Sequence, residues 1–386
     1  MSDIHLQAKQ TKASAWVEQE LAQRIRSHAG PGIVVLNGDI IELWAGQNPD
    51  LKAALQAHAR LTSAIKNFGE QPGCQVVFVV GNHDGEVGWS SEDQKVIQAE
   101  LGAKLCFQLE LNMNGKVVIF EHGHQLDPDN LFEDQRDPHD HPMGQYVVQK
   151  ILPMAQKSKT EVLADVDTLA DPRRFPIFLF SRIFYRTIVR NSGWLALPFV
   201  LALLYRFLTV VGFYFLEQAP PQKVLDFLVL TDIVIILDAV LLIVIGYVIL
   251  RHFWKLSASL VDERGGSDHN RDPREYTSTR ISSKKITGGV FGHTHVAELT
   301  PIKDGFYANS GSGTKITKAY QARLGLPKIY IPSLQLSWLE FEMGQKVKVS
   351  LFAGNRKLEG LKGFEKLLLK KPIVYTEAKL VKSLEV

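Results

Sequence analysis

Four short apolar segments of this 386-residue chain each run into a turn that carries aspartate, asparagine or histidine. Short, uninterrupted apolar runs of this kind are typical of strands that are buried on both faces. Because the carboxyl ends of neighbouring strands in an α/β sheet meet at one crevice, we expect the polar turns to converge there. The segments are residues 33–36, 76–80, 117–120 and around 289–291, and the turns behind them carry Asp39, Asn82, His83, Asp84, His122, His124, His293 and His295.

The rest of the pattern also favours an α/β fold. Apolar periodicity predicts helices over residues 14–28 and roughly 50–68, between the first strands. After residue 300 the chain is mainly strand-like, with runs at 329–331, 334–341 and 347–352 that are bounded by turn signals.

Five polar motifs follow one another along the chain. Taken singly, none is informative, since His5 or Asn82 alone would be an ordinary terminal or turn residue. Together and in this order they resemble the signature of the calcineurin-like metallophosphoesterases. The resemblance covers roughly residues 1–130 and 285–355, and it implies a four-layer αββα sandwich. The motifs are Asp3-x-His5, Gly38-Asp39-x-x-Glu42, Gly81-Asn82-His83-Asp84, His122-Gly123-His124 and Gly292-His293-Thr294-His295.

The residue types in these motifs suit metal-dependent phosphoester hydrolysis. That reaction needs an activated water and neutralisation of developing negative charge, and two divalent ions can supply both. Carboxylate and imidazole ligands suit Mn, Fe or Zn, and the motifs contain no thiolate. We therefore expect two divalent ions, with Mn favoured and Fe or Zn as alternatives.

The resemblance also implies a role for each site residue. Asp39 would bridge the two ions, and Asn82 would be a neutral ligand. His83 would face the substrate, with Asp84 orienting it, whereas Glu42 and Glu121 would lie outside the ligand set. The first ion would take Asp3, His5, Asp39 and His295, and the second would take Asp39, Asn82, His122 and His293.

Other polar residues are weaker candidates. His124 is either a further ligand or, as we favour, a strand-end histidine bonded to the backbone. Residues 309–311 resemble a family turn that packs under the site. Asp137, His139, Asp140 and His141 could bind a third ion, although a solvated loop is favoured.

The amino-terminal motif departs from the family pattern. The family has a strand directly before Asp-x-His, whereas only Met1 and Ser2 precede Asp3 here. A terminus of this kind frays unless it is held, so either the true start lies upstream, as we favour, or the site is less rigid than usual.

The middle of the chain contains two long apolar stretches, residues 194–216 and 224–250, joined by a short turn. Each stretch is long enough to span a bilayer, and their outer flanks are rich in arginine and lysine, which places both outer ends on the cytoplasmic side. Asp232 and Asp238 would be costly at membrane depth, and Arg206 is a candidate partner. A hairpin that dips into one leaflet, or one buried in a soluble core, are the alternatives.

Two basic segments flank this hairpin. Arg182, Arg186 and Arg190 recur every fourth residue, which predicts a basic stripe on an interfacial helix over residues 175–189. A solvated helix face is the alternative. The tail after residue 355 contains Lys362, Lys366, Lys370 and Lys371 and could also be attracted to a membrane, or simply be solvated.

Composition limits the class of protein. With 45% hydrophobic and 22% charged residues, the chain is not disordered, collagenous or a coiled coil. The balance of 44 Lys+Arg against 41 Asp+Glu argues against a nucleic-acid partner, and two cysteines are too few for a disulfide framework. The predicted units are a core of residues 1–150 and 281–355, a helical insert of 151–280 with its hairpin at 194–250, and a basic tail of 356–386.

These features predict a phosphodiesterase or pyrophosphatase at the cell membrane, with its catalytic domain on the cytoplasmic side and a lipid-linked substrate. The UDP-2,3-diacylglucosamine hydrolases are the nearest in logic, since they insert a helical acyl-binding lid at the same point. The alternatives are a membrane-tethered enzyme for soluble nucleotides or phosphoproteins, and a non-catalytic membrane scaffold.

Overall fold

The described residues form a mixed α/β architecture with three β-sheets. The computed structural model describes residues 1–45, 49–151, 153, 162–169, 174–189, 197–216, 219–262, 268–358, 361 and 363–386. Arg190, Trp194 and Lys362, which the sequence singled out, lie outside these ranges.

The helices are α1 (Lys12–Arg26), α2 (Leu51–Ala57), α3 (Ala59–Gly69), α4 (Ser91–Leu101), α5 (Met143–Tyr146), α6 (Phe175–Ile183), α7 (Leu197–Phe215), α8 (Gln222–Asp262), α9 (Arg271–Ser282) and α10 (Gly363–Leu368). The strands are β1 (Gly32–Asn37), β2 (Cys74–Val79), β3 (Ala103–Cys106), β4 (Gln108–Met113), β5 (Lys116–Glu121), β6 (Gly288–Phe291), β7 (Glu298–Ile302), β8 (Gly305–Asn309), β9 (Lys315–Tyr320), β10 (Ile329–Met343), β11 (Val347–Lys357) and β12 (Thr376–Glu385).

The first sheet is parallel, in the order β1-β2-β3, with Val35 opposite Val77. Its apolar side chains share a core with α1, α3 and α4, in which Leu36, Phe78 and Leu61 are fully buried. The parallel strands β1 and β2 therefore end side by side, and the turns that carry Asp39 and Asn82 follow them.

The second sheet has the order β4-β5-β6-β8-β7, and the third is antiparallel in the order β12-β11-β10-β9. Val118 and Phe120 of β5 pack in one cluster with Val349 of β11, so these two sheets share a core. On its other face, the second sheet packs Phe291 against Ile281 of α9.

Two predicted elements differ from the structure. The helix expected over residues 50–68 is two helices that break at His58, because the buried Glu18 accepts the backbone N–H groups of Arg60 (2.7 Å) and Leu61 (3.1 Å) and so caps α3. The two strands expected at 329–331 and 334–341 are one strand, β10, which continues through Pro332.

Both chain ends are paired to strands. Met1 accepts the N–H of Asn37 (2.8 Å), and Asp3 donates to the carbonyl of Gly38 (3.0 Å), so the first residues lie along β1 in place of the strand expected there. At the other end, residues Thr376–Glu385 form β12, which pairs with β11 as an edge strand.

The basic stripe predicted on the helix over residues 175–189 is wrong for Arg182 and Arg186, which pair with carboxylates of the protein. Arg182 is 1% exposed and forms an ion pair with Asp165 (2.9 Å), while its guanidinium lies over the Phe178 ring. Arg186 pairs with Glu365 at 3.6 Å. A sequence shows the spacing of arginines but not the distant carboxylates that draw them inwards.

The apolar hairpin is present as α7 and α8. Residues Gln222–His252 of α8 are long and apolar enough to cross a membrane, with a mean hydropathy of 3.1 and 0% of the most apolar part buried. The apolar part of α7, Val200–Phe215, is shorter. The expected partner of Asp232 is correct, because Arg206 forms an ion pair with it.

We expect Arg182→Ala to destabilise the protein by about 3 kcal/mol, the lower end of the range for a broken buried ion pair, because the Asp165 carboxylate keeps its second partner, the partly exposed Lys315 (2.7 Å). Thermal or denaturant unfolding measures the change. The matched control is Arg271→Ala, which removes an exposed arginine paired with Glu275. Equal stability of the two variants would contradict the structural role of Arg182.

Candidate metal centre

The polar turns converge at the carboxyl ends of β1, β2, β5 and β6. A first group comprises Asp3, His5 and His295, whose candidate ligand atoms all lie within 4.8 Å of one another. The Nε2 atom of His295 is 3.2 Å from Asp3 Oδ1 and 3.3 Å from His5 Nε2. These residues come from the two ends of the sequence and are united only by the fold.

A second group comprises Asp39, His122 and His293, again within 4.8 Å of one another. His122 Nε2 is 3.1 Å from Asp39 Oδ2 and 3.1 Å from the side-chain oxygen of Asn82. The structure thus brings Asn82 to this group as well.

Asp39 lies between the two groups. Its Oδ2 atom is 3.1 Å from His122 Nε2 and 4.0 Å from His5 Nε2, and its Oδ1 atom accepts the backbone N–H of His83 at 2.8 Å. The residue is 1% exposed. Asp39 therefore belongs to the second group and also approaches the first through His5.

The backbone at these positions is unusual. Ten non-glycine residues in the described part of the chain have positive φ, and half of them are in the two groups. Residues other than glycine rarely adopt this backbone conformation. Each such residue costs of order 1–3 kcal/mol, and residues of this kind cluster at functional sites. The five are Asp3 (φ 52°), His5 (51°), Asp39 (53°), His293 (65°) and His295 (58°).

Two motif glycines permit the close packing. A Cβ at Gly81 would lie 2.3 Å from Asp39 Oδ1, and one at Gly38, where φ is +83°, would lie 2.3 Å from His122 Nδ1. Any larger residue at these positions would displace the Asp39 carboxylate or the His122 imidazole.

The electrostatics suit a cation. Burial opposes ionisation of Asp39, but His122 and His83 outweigh it and hold the pKa of the carboxyl well below its usual range. Burial also disfavours the charged ring of His122, yet Asp39 and Asp3 raise its pKa to about 10. Imidazole nitrogens, carboxylate oxygens and the Asn82 amide oxygen form a donor set suited to Mn, Fe or Zn.

His83 is paired with Glu42, not with Asp84. The Glu42 carboxylate lies 2.9 Å from His83 Nδ1, and the Trp44 ring is 4.2 Å from the imidazole. Burial lowers the pKa of His83, but Glu42 and then Asp39 outweigh it and raise the pKa to about 9. The expectation that Asp84 orients His83 is therefore wrong.

Asp84 instead holds the backbone of two turns. Its buried carboxylate accepts the N–H groups of Ile40 (2.8 Å) and Gly81 (2.6 Å). Burial and the nearby Asp39 raise its pKa to about 7. It fixes the loops that present Asp39 and Asn82, and it has no contact with the His83 ring among the bonds of the described residues.

Glu42 contacts more residues of the centre than the sequence predicted. Besides His83, it contacts His5 Nδ1 at 3.1 Å, and it accepts the backbone N–H groups of Trp44 and Ala45, both at 2.9 Å. His5, Glu42 and His83 also lie within 4.8 Å of one another. The spacing Gly38-Asp39-x-x-Glu42 was the signal in the sequence, because it places Glu42 on the same turn as Asp39.

The weaker candidates surround the centre. His124 is buried with Nε2 2.5 Å from the Gln135 amide nitrogen, and its Nδ1 has no partner among the described groups, so the expected backbone bond is wrong. Asn309 donates to the carbonyl of Gly292 (2.7 Å) and supports the last motif from below. Asp137, His139, Asp140 and His141 form no metal-type group in the part of the chain that the structure describes.

A match to a known family covers the part of this site that lies between Asp3 and His122. Residues 1–169 match the sequence profile of the family described as calcineurin-like phosphoesterase. A comparison with curated proteins gave no match.

We expect Mn²⁺ binding to release protons and to strengthen as the pH rises from 6 to 8. The pKa of His122 is raised to about 10, so the ring is protonated at neutral pH and must lose its proton to coordinate a cation. Calorimetric titration in two buffers of different ionisation enthalpy measures the release. Binding with no proton exchange, or binding that weakens with rising pH, would contradict the assignment of His122 to the centre.

Proposed function

Since residues 1–169 belong to the calcineurin-like phosphoesterase family, we propose that this phosphoesterase hydrolyses a phosphoester or pyrophosphate bond at a dinuclear metal site on the membrane surface. The observation that carries the proposal is the Asp39 carboxylate, which lies between two groups of ligand atoms. One divalent ion would be held by Asp3, His5, Asp39 and His295, and the other by Asp39, Asn82, His122 and His293.

We also propose that the core has the four-layer sandwich of the family. It is supported by two observations: α1, α3 and α4 cover the first sheet, and the second sheet packs between β11 and α9.

The metal ions and the side chains of His83 and Glu42 would have separate roles in the reaction. Divalent cations in such a site neutralise phosphate oxygens and make water a stronger nucleophile at neutral pH, with Mn the expected metal and Fe or Zn the alternatives. Since a carboxylate only accepts hydrogen bonds, Glu42 holds the proton on His83 Nδ1 and leaves Nε2 to face the substrate. The His83 side chain is 18% exposed and can therefore reach a bound phosphoryl group or leaving oxygen.

A lipid-linked substrate is the finer part of the proposal. It is supported by the unburied apolar surface of α8 and by a cavity at the end of its apolar segment. This cavity is an open groove of about 610 Å³, lined by Tyr247, Arg251, Lys255, Leu324 and Gly325. The Tyr247 hydroxyl donates to the Leu324 carbonyl (3.0 Å). Arg251 and Lys255 could contact anionic headgroups, which is the role that the sequence predicted for the arginine stripe.

The basic residues at this end of α8 also favour the cytoplasmic side of the cell membrane for the catalytic domain. The alternative is a tethered enzyme for soluble nucleotides or phosphoproteins, and the burial of Arg182 favours it by removing one headgroup contact. A non-catalytic scaffold is disfavoured, because every expected ligand type is present in the two groups.

We expect Asp39→Asn to abolish Mn²⁺-dependent hydrolysis of a chromogenic phosphodiester, because the shared ligand loses its charge. Glu42→Gln and His83→Ala should each lower kcat by about 10²–10⁴-fold, the range for a lost proton-transfer group. The matched control is His139→Ala, an exposed loop histidine whose loss should leave kcat unchanged. Full activity of Asp39→Asn, or an inactive wild type with both metals bound, would refute the proposed phosphoesterase activity.

A comparison of matched substrates tests the lipid proposal. We expect the full-length protein in mixed micelles to hydrolyse an acylated pyrophosphate at least about tenfold more efficiently than its deacylated analogue, since each buried methylene contributes about 0.8 kcal/mol. Arg251→Gln should raise KM for the acylated substrate alone. Equal kcat/KM for both substrates would favour the tethered enzyme instead.

A further inference from the structure

A short segment after the fourth motif, residues 127–130, contacts the second group of ligands. The Asp127 Oδ2 atom lies 2.9 Å from His293 Nε2. The same carboxylate accepts the side-chain N–H of Asn130 (2.8 Å) and the backbone N–H of Asp129 (3.1 Å). The carboxylate is thus fixed within its own turn while it contacts the imidazole.

Asn130 makes the matching contact with Asn82. Its side-chain oxygen accepts an N–H of the Asn82 amide at 3.4 Å, and the Asn82 oxygen is then directed to His122 Nε2 at 3.1 Å. Gly144 packs against this segment: its N–H donates to the Asp129 carbonyl (2.7 Å), and a Cβ there would lie 2.1 Å from the Asn130 side-chain oxygen.

These two contacts select which atoms are free to coordinate a cation. An ionised carboxylate can only accept, so the bond from His293 Nε2 to Asp127 keeps the proton on Nε2 and leaves the Nδ1 lone pair available. Likewise, an Asn82 amide that donates through its nitrogen presents its oxygen to the centre. Metal-binding histidines commonly give their second nitrogen to a carboxylate in this way, and its loss weakens metal binding about 10–100-fold.

We infer that Asp127 and Asn130 are positioning residues for the cation held by Asp39, Asn82, His122 and His293. The inference rests on the proposed dinuclear function and adds to it a support for one of the two ions. Asp127 and Asn130 form no hydrogen bond to Asp3, His5 or His295 among the bonds of the described residues. Their loss should therefore weaken one site and spare the other.

The test is calorimetric titration of the full-length, EDTA-treated protein with Mn²⁺, together with metal counting by mass spectrometry. The wild type should bind two equivalents. Asp127→Asn and Asp127→Ala should each weaken one equivalent by about 10–100-fold and leave the other unchanged. Asp127→Glu, which keeps the carboxylate, should recover part of the loss. The matched control is Asp129→Asn, which removes an exposed carboxylate two residues away and should bind as the wild type does.

A readout without metal separates positioning from a general structural role. In EDTA, the Asp127 variants should unfold at the wild-type temperature. Wild-type affinity for both equivalents in Asp127→Asn and Asp127→Ala would overturn the inference alone, as would equal weakening of both sites with a lowered unfolding temperature in EDTA. A wild type that binds fewer than two equivalents would overturn the dinuclear proposal and the inference with it.

Discussion

The buried carboxylate of Asp39 is the feature on which the rest of the centre depends. A charge that is 1% exposed is costly unless it is paired and hydrogen-bonded. The protein meets this requirement with the His122 ring on one oxygen and the backbone N–H of His83 on the other. Because each partner must come close, glycine is required at position 81, and the polar turns of separate strands are drawn to one point.

The centre concentrates strain that the fold must offset. Five candidate ligand residues have a left-handed backbone, which costs of order 1–3 kcal/mol apiece, and the charge of Asp39 opposes ionisation of Asp3. Support comes from surrounding groups, such as the Asp84 carboxylate on two backbone N–H groups and Asn309 under the last motif. Cations that bind only the assembled candidate ligands would also stabilise the folded chain.

The sequence predicted the first strands and the convergence of the polar turns, but it did not predict which side chains pair across separate loops. The first two strands and the Asp39 turn follow from apolar runs and turn residues, which are read directly along the chain. The pairing of His83 with Glu42 rather than Asp84 depends on how two loops face each other, and sequence proximity pointed to the wrong carboxylate. The burial of Arg182 was not predicted for a similar reason, because its partner Asp165 cannot be recognised from periodicity.

The central proposal for this protein is that the Asp39 carboxylate bridges two divalent ions. The most direct measurement is anomalous X-ray diffraction from crystals of the full-length protein grown with Mn²⁺. We predict two anomalous peaks about 3.5–4 Å apart, the spacing of two-metal sites, one on each side of the Asp39 carboxylate. A single peak, or two peaks that do not share Asp39, would contradict the account.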